Sequence, residues 1–238
     1  MLIRSTIFNL LFYFWTLLVC VVMLPILFFP PKVVVVAGRI WARGVVFMLR
    51  FICGIKMKIE GQENLPEGAC IIASKHQSAW ETIIFYALCE SPAYILKREV
   101  NFLPFFGWYS ARVKTIAVNR GAGAKAMRDL IKQAKDRLQN GRQIIIFPEG
   151  TRIKAGEKGY YKPGVAAIYM QTGSVVVPVA LNSGICWGRN SWVKKQGVIS
   201  LKFLPVIEAG LPKKEFMARL ESDIESESNK LLGKGAVS

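Results

Sequence analysis

His76 is the only histidine in the chain, and it stands five residues before Glu81 in Lys75-His76-Gln77-Ser78-Ala79-Trp80-Glu81. Any imidazole chemistry must run through this one ring. A histidine held by a nearby carboxylate is the arrangement that activates a hydroxyl: the ring takes the proton, and the carboxylate fixes its tautomer and stabilises the imidazolium. The same residues also fit a capping box, with Ser78 followed three residues later by Glu81 at the start of a helical stretch. On that reading Glu81 only caps a helix. A lone histidine is more often structural than catalytic, so its company decides.

That company is basic and sits at strand ends. The β-rich run before His76 is followed by one ending at Lys97 and Arg98, by Ala117-Val118-Asn119-Arg120-Gly121, and by Ile144-Ile145-Ile146 leading into Phe147-Pro148-Glu149-Gly150-Thr151-Arg152. Successive strand ends thus deliver a His with a Glu, then Lys97, then Arg120, then Glu149 with Arg152. Loops at the carboxyl ends of strands are where α/β folds place their ligands. Guanidinium forks suit bidentate phosphate recognition, and lysine adds a point charge.

The elements that must position these residues follow from pattern. The strands expected are Met57–Glu60, Ala69–Ala73, Ala93–Lys97, Lys114–Val118, Gln143–Phe147, Val175–Leu181 and Ser200–Leu204, and the helices Ser78–Cys89, Phe102–Ala111, Ala124–Gln139 and Gly164–Thr172. Met127, Leu130, Ile131, Ala134 and Leu138 keep helical spacing, and Asn140-Gly141 is a stop signal. Pro212–Leu232 reads as a mixed-charge amphipathic helix. Strands alternating with helices indicate an α/β fold, a mixed sheet flanked by helices.

The N-terminus is different in kind. No charged residue occurs from Ser5 to Pro31, and Ile7–Phe29 is apolar apart from Asn9, Thr16 and Pro25. This is long enough for a hydrocarbon core that needs roughly 20 helical residues. It exceeds a signal-peptide core of about 7 to 15 residues, and Pro30-Pro31-Lys32 offers no small-x-small cleavage pattern, so a retained anchor is expected. Pro25 leaves crossing and re-entrant geometries open. In the following stretch Arg39, Arg43 and Arg50 fall within about 40° on a helical wheel, with Val36, Ile40, Val46, Phe47 and Phe51 expected on the opposite face. Residues 1–55 are therefore expected to form a pair of membrane-associated helices. The excess of Lys and Arg after the apolar run predicts that the body faces the cytoplasm, at an inner membrane.

A net charge of +16 lies wholly within residues 1–212, because residues 213–238 carry five basic and five acidic side chains. Such a surplus beside a membrane segment suits anionic lipid or phosphorylated substrates. No nucleic acid partner is expected, since helix-turn-helix, zinc-finger and RNP-type signatures are absent. Five cysteines without framework spacing agree with a reducing compartment, and a single His without clustered Cys gives no metal ligand set.

Over residues 60–210 the motifs resemble the glycerolipid acyltransferases, in particular 1-acyl-sn-glycerol-3-phosphate acyltransferases. His76 to Glu81 resembles the His-x4-acid block, Gly107 to Arg120 the second block, Phe147 to Arg152 the Phe-Pro-Glu-Gly-Thr-Arg block, and Val177-Pro178-Val179-Ala180 the fourth. Two departures are Glu81, where the family usually has Asp, and Lys75, where many members carry Asn. The resemblance implies an acyltransferase domain over 56–238 with His76 and Glu81 catalytic. It implies a phosphate-binding set of Lys97, Arg120, Glu149, Gly150, Thr151 and Arg152, in which Arg120 and Arg152, helped by Lys97, hold the substrate phosphate and Glu149 orders that loop.

The implied reaction moves a fatty acyl group from acyl-CoA or acyl-carrier protein, with no cofactor, to the sn-2 hydroxyl of a lysophosphatidic acid drawn from the bilayer. No acyl-enzyme is required, and Ser78 is more economically a cap than a nucleophile. Backbone N–H groups at the start of the Ser78 helix could steady the oxyanion. Phe105, Phe106, Trp108 and Tyr109 would join the N-terminal helices in guiding acyl chains to His76. Rival readings are another acceptor such as lyso-ornithine lipid, a thioesterase, and a non-catalytic binder of anionic lipid.

Overall fold

The computed structural model describes residues 1–102, 104–119, 121 and 123–235. Helices α1 (Leu2–Val22) and α2 (Pro31–Cys53) precede β1 (Ile55–Glu60), β2 (Cys70–Ser74), α3 (Trp80–Leu88), β3 (Pro92–Lys97), α4 (Phe106–Arg112) and β4 (Ile116–Val118). Then come α5 (Gly123–Gln139), β5 (Gln143–Ile146), α6 (Gly164–Thr172), β6 (Val176–Leu181), β7 (Gly197–Phe203) and α7 (Lys213–Gly235).

The strands form one sheet in the order β1-β7-β6-β2-β5-β3-β4. Every pairing is parallel except β6 with β7, so the sheet is mixed, as the pattern predicted. Strand alternation divides the core into two layers. Ile72 and Ile145 face α2 and α3, where Leu49, Ile83 and Phe85 pack, while Ile71, Ala73, Ile144 and Ile146 face α5, α6 and α7 through Leu130, Ile168 and Leu220. Because β2, β5, β3 and β4 run parallel side by side, their carboxyl ends emerge at one edge. That edge carries the site.

The expected helix Phe102–Ala111 is shorter than its pattern. Arg98–Phe102 is a 3-10 turn, and α4 begins only after Pro104 and a Phe105 held at φ 59°. Proline removes a helical donor, and a non-glycine residue at positive φ ends the run. Gly107 then passes so close to the Asn101 carbonyl that a Cβ there would clash with it.

On α2 the arginines do not oppose the apolar face. Val36, Ile40, Phe47 and Phe51 are exposed beside the exposed Arg43 and Arg50, while Val34, Ala42, Val45 and Leu49 are buried against the body. The expected opposite-face arrangement fails on the helical wheel itself: at about 100° per residue all five apolar residues lie within about 120° of Arg39, on the same side as the arginines. The side facing away from α1 and α3 carries both kinds of residue, a combination suited to a membrane interface.

Among the described residues, only α1 is long and apolar enough to cross a membrane. It lies along the body for its whole length. Ser5 Oγ accepts the Lys194 N–H at 2.9 Å, Asn9 Nδ2 donates to the Trp192 carbonyl at 3.0 Å, the indole of Trp15 donates to Trp41 O at 3.1 Å, and Tyr109 Oη donates to Cys20 O at 3.0 Å. Phe8 belongs to the same core cluster as Trp80 and Phe85.

Lys194 makes the most contacts among these ties. Its ammonium is buried, reaches Asn9 Oδ1 at 2.6 Å and the Trp192 carbonyl at 3.0 Å, and lies over the rings of Trp187 and Phe8 at 4.7 and 5.5 Å. Burial, partly offset by Cys53, pushes its amine from 10.5 down to about 8. Lys194→Met leaves Asn9 Oδ1 without its donor, which costs about 2 kcal/mol. It also removes the burial penalty on the cation, so at neutral pH Tm falls by less than the roughly 4–8 °C that the lost hydrogen bond alone would give. The pH dependence has a sign. The unfolded lysine keeps its proton to 10.5, so wild-type stability gains from this group as pH rises from about 8, and loses that gain as pH falls back through 8. Thermal melts between pH 7.5 and 10.5 in detergent should show this rise in the wild type and not in Lys194→Met.

Candidate active site

His76 emerges from the end of β2, and its backbone is gripped on both sides. Its N–H donates to Glu149 Oε2 at 2.9 Å, and its carbonyl accepts the Ile153 N–H at 2.8 Å. The ring stacks on Phe147, with centroids 4.1 Å apart and planes 17° from parallel. Nδ1 lies 2.9 Å from Glu81 Oε1.

Glu81 is fully buried and does both jobs that its sequence position suggested. Oε1 accepts from the backbone N–H groups of Gln77 and Ser78 as well as from His76, and Oε2 accepts the hydroxyls of Ser78 and Ser183, each at 2.8 Å. Burial alone would raise its carboxyl, but the His76 contact and the Ser78 donors outweigh it and hold the group below its ordinary 4.5. An ionised carboxylate only accepts, so His76 Nδ1 carries the proton and Nε2 is left with a free lone pair that can accept one. The additional methylene of Glu relative to Asp is accommodated by a carboxylate reaching back past its own helix start.

The amides of Gln77 and Ser78 are spent on Glu81, which removes them as oxyanion donors. Ser78 Oγ, expected to cap α3, accepts the Trp80 N–H at 2.9 Å while donating to Glu81. A proton transfer to His76 would need a different contact, so Ser78 is not set up as a nucleophile. Burial pushes the thiols of Cys70 and Cys186 up to about 12 and 11.

His76 opens onto a cleft of about 700 Å³ whose lining includes Thr82, Lys97, Gly150, Thr151, Arg152 and Lys162. The structure therefore brings together most of the residues expected at the strand ends. Arg120 lies outside the described residues. Gly150 adopts φ +65°, and a side chain there would press on Lys162, so the turn requires glycine.

Glu149, grouped with the phosphate-binding set but expected to order its loop, stands behind the cleft. It does not line the cleft; its carboxylate turns inward, 2.7 Å from the buried ammonium of Lys75. Burial raises its carboxyl, against the hydrogen bond and charge of Lys75. A carboxylate facing the cleft would repel a phosphate, whereas here it organises the loop.

Two contributors had not been expected. Ser183 follows β6, the strand built from the Val177–Ala180 block, and its only sequence signal is that proximity. Lys162 precedes Pro163 at the start of α6, a position a basic residue before a Pro-Gly helix start could have suggested.

Residues 56–182 match the family model described as Acyltransferase. The chain belongs to the acyltransferase family. It is 39% identical over 169 residues to the 1-acyl-sn-glycerol-3-phosphate acyltransferase of Pseudomonas aeruginosa, a match covering 71% of this chain and 66% of that relative. It is 32% identical over 128 residues to the chloroplastic LPAT1 of Arabidopsis thaliana, covering 53% and 36%. The matched stretch thus spans less than two thirds of either relative. In fold, the chain superposes on the crystal structure of the LPA acyltransferase PlsC of Thermotoga maritima with a TM-score of 0.80, at 22% identity and over 96% of both chains.

A second cavity lies between α1, α2, α3 and α4. This apolar crevice of about 60 Å³ is lined by Val19, Val34, Gly38, Tyr86, Phe106 and Tyr109 among others. Tyr86 is one helical turn beyond Thr82, which lines the His76 cleft, so α3 borders both spaces. Of the aromatic set expected to meet lipid, Phe106 and Tyr109 line the crevice, while Phe105 packs edge-on against the exposed Trp108.

Proposed function

We propose that the chain transfers a fatty acyl group from an acyl thioester to the sn-2 hydroxyl of 1-acyl-sn-glycerol 3-phosphate, forming phosphatidic acid. The observation that carries this is the His76–Glu81 pair, 2.9 Å apart, at the wall of a cleft that also holds Lys97, Arg152 and Lys162. The names of the relatives agree with it. His76 Nε2 takes the hydroxyl proton as the oxygen attacks the thioester carbonyl, and the imidazolium formed is stabilised by Glu81. Collapse of the tetrahedral adduct expels the thiolate, which receives that proton. No cofactor is needed.

Lys97, Arg152 and Lys162 hold the acceptor's phosphate, with Arg120 as a further phosphate contact. One acyl chain follows α3 into the crevice under α1 and α2. The donor is acyl-CoA or acyl-carrier protein; the basic cleft accommodates the anionic group of either. The exposed apolar and basic strip of α2 lies in the inner membrane's cytoplasmic face, and α1, tied to the body along its length, remains on that side.

The phosphate assignment is tested by acceptor choice. Wild type should acylate lysophosphatidic acid far faster than lyso-ornithine lipid, and Arg152→Ala should lower kcat/KM for lysophosphatidic acid by about 10- to 100-fold through lost charged hydrogen bonds, mostly in KM. Equal use of both acceptors by wild type would remove the phosphate from the account.

A further inference from the structure

Lys75 stands directly before His76, where many members of the family carry Asn, and its surroundings explain what the lysine does. Its side chain is 1% exposed, with Nζ 2.7 Å from Glu149 Oε1, 2.6 Å from Glu225 Oε1 and 3.2 Å from the Glu157 carbonyl. Glu225 belongs to α7, at the other end of the chain, and also accepts the Tyr161 hydroxyl at 2.9 Å. The other oxygen of Glu149 holds the His76 N–H at 2.9 Å. One ammonium thus joins the end of β2, the Glu149 loop, the 157–161 segment and α7.

We propose that Lys75 and Glu225 are positioning residues, through which the C-terminal helix fixes the backbone of the His76 loop and keeps the imidazole aligned on Glu81. The inference rests on the acyltransferase reading for its kinetic consequence, though not for its structural one. An asparagine at position 75 is too short to reach a carboxylate on α7. With the cation removed, the buried Glu149 carboxylate and the partly exposed Glu225 carboxylate are left close together without a counter-charge, and such a pair relaxes by protonation or by one partner leaving. Either response weakens Glu149 as the acceptor for the His76 N–H. The anchor that sets the ring's orientation is then loose, and small displacements at a catalytic group are costly in rate.

Because His76 is the only histidine, histidine-selective 15N labelling of the full chain in detergent micelles reports on one ring. In the wild type that ring should show a single Nδ1–H tautomer. Lys75→Met and the milder Glu225→Gln should both broaden that signal and mix the tautomers. Lys75→Met should lower kcat by about 30-fold or more with KM for lysophosphatidic acid held within about twofold. Adding Glu225→Gln to Lys75→Met should recover part of the rate, because the unpaired like charge is gone.

An unchanged tautomer and unchanged kcat per folded molecule in Glu225→Gln and Lys75→Met, with only Tm lowered, would overturn the proposal. If the tautomer responds as stated while the wild type forms no phosphatidic acid, the positioning role stands and the acceptor assignment falls.

Discussion

His76→Ala is expected to reduce acyl transfer by about 10³-fold or more, the scale of a general base whose ring also reprotonates the leaving group. The loss should lie in kcat, with KM for lysophosphatidic acid within about threefold of wild type, because the phosphate contacts are made by other side chains. Folding should survive. The ring is stacked on Phe147 and partly exposed, and without it Glu81 still accepts two backbone N–H groups and the hydroxyls of Ser78 and Ser183. Steady-state kinetics alongside thermal melts separate the two effects. Activity within about tenfold of wild type, in protein that melts normally, would show that no imidazole base is required.

Glu81→Gln is expected to cost about 10²-fold to 10³-fold in kcat, since the imidazolium loses its counter-charge. The glutamine amide oxygen can replace Oε1, accepting from Gln77, Ser78 and His76, and its NH₂ can face the serine hydroxyls. The start of α3 is then preserved. If Glu81 were only a cap, the change would be nearly silent in rate, so the kinetic loss measures the charge itself. A second consequence follows from the carboxyl being held below 4.5 in the fold. Its contribution to stability is complete above the unfolded value and disappears as pH falls through the lower folded value. Glu81→Gln should therefore flatten the stability loss below about pH 4.5, as followed by acid titration of intrinsic tryptophan fluorescence.

Much of this arrangement was legible from local pattern. The mixed α/β architecture, the helices Ala124–Gln139 and Gly164–Thr172 and the placement of His76, Lys97 and Arg152 at strand ends depend on periodicity and on turn residues close in sequence. The five-residue spacing of His76 and Glu81 brought the two within one loop and helix start. What escaped is the polar wiring, which is long-range. Ser183 meets Glu81 across 102 positions, and Lys75 meets Glu225 across 150. No periodicity encodes such contacts.

The partners through which Glu149 orders its loop were hidden for a related reason. Its block lies at the cleft, but consecutive residues in an extended turn point in different directions, and the carboxylate found the buried lysine while Gly150, Thr151 and Arg152 kept the cleft. The amides of Gln77 and Ser78 looked available because a helix start leaves its first donors unsatisfied. Glu81 reaches back and takes them. On α2 the helical spacing itself places Val36, Ile40, Phe47 and Phe51 beside the arginines, and the packing of Val45 and Leu49 against the body turns that side outward.

The most direct test of the central claim follows product from labelled acyl thioester and lysophosphatidic acid, using matched membranes carrying wild type, His76→Ala or Glu81→Gln. The account predicts labelled phosphatidic acid acylated at sn-2 from wild type, a trace from His76→Ala and a sharply reduced amount from Glu81→Gln. Free fatty acid released without acceptor, or phosphatidic acid formed equally by wild type and His76→Ala, would contradict it.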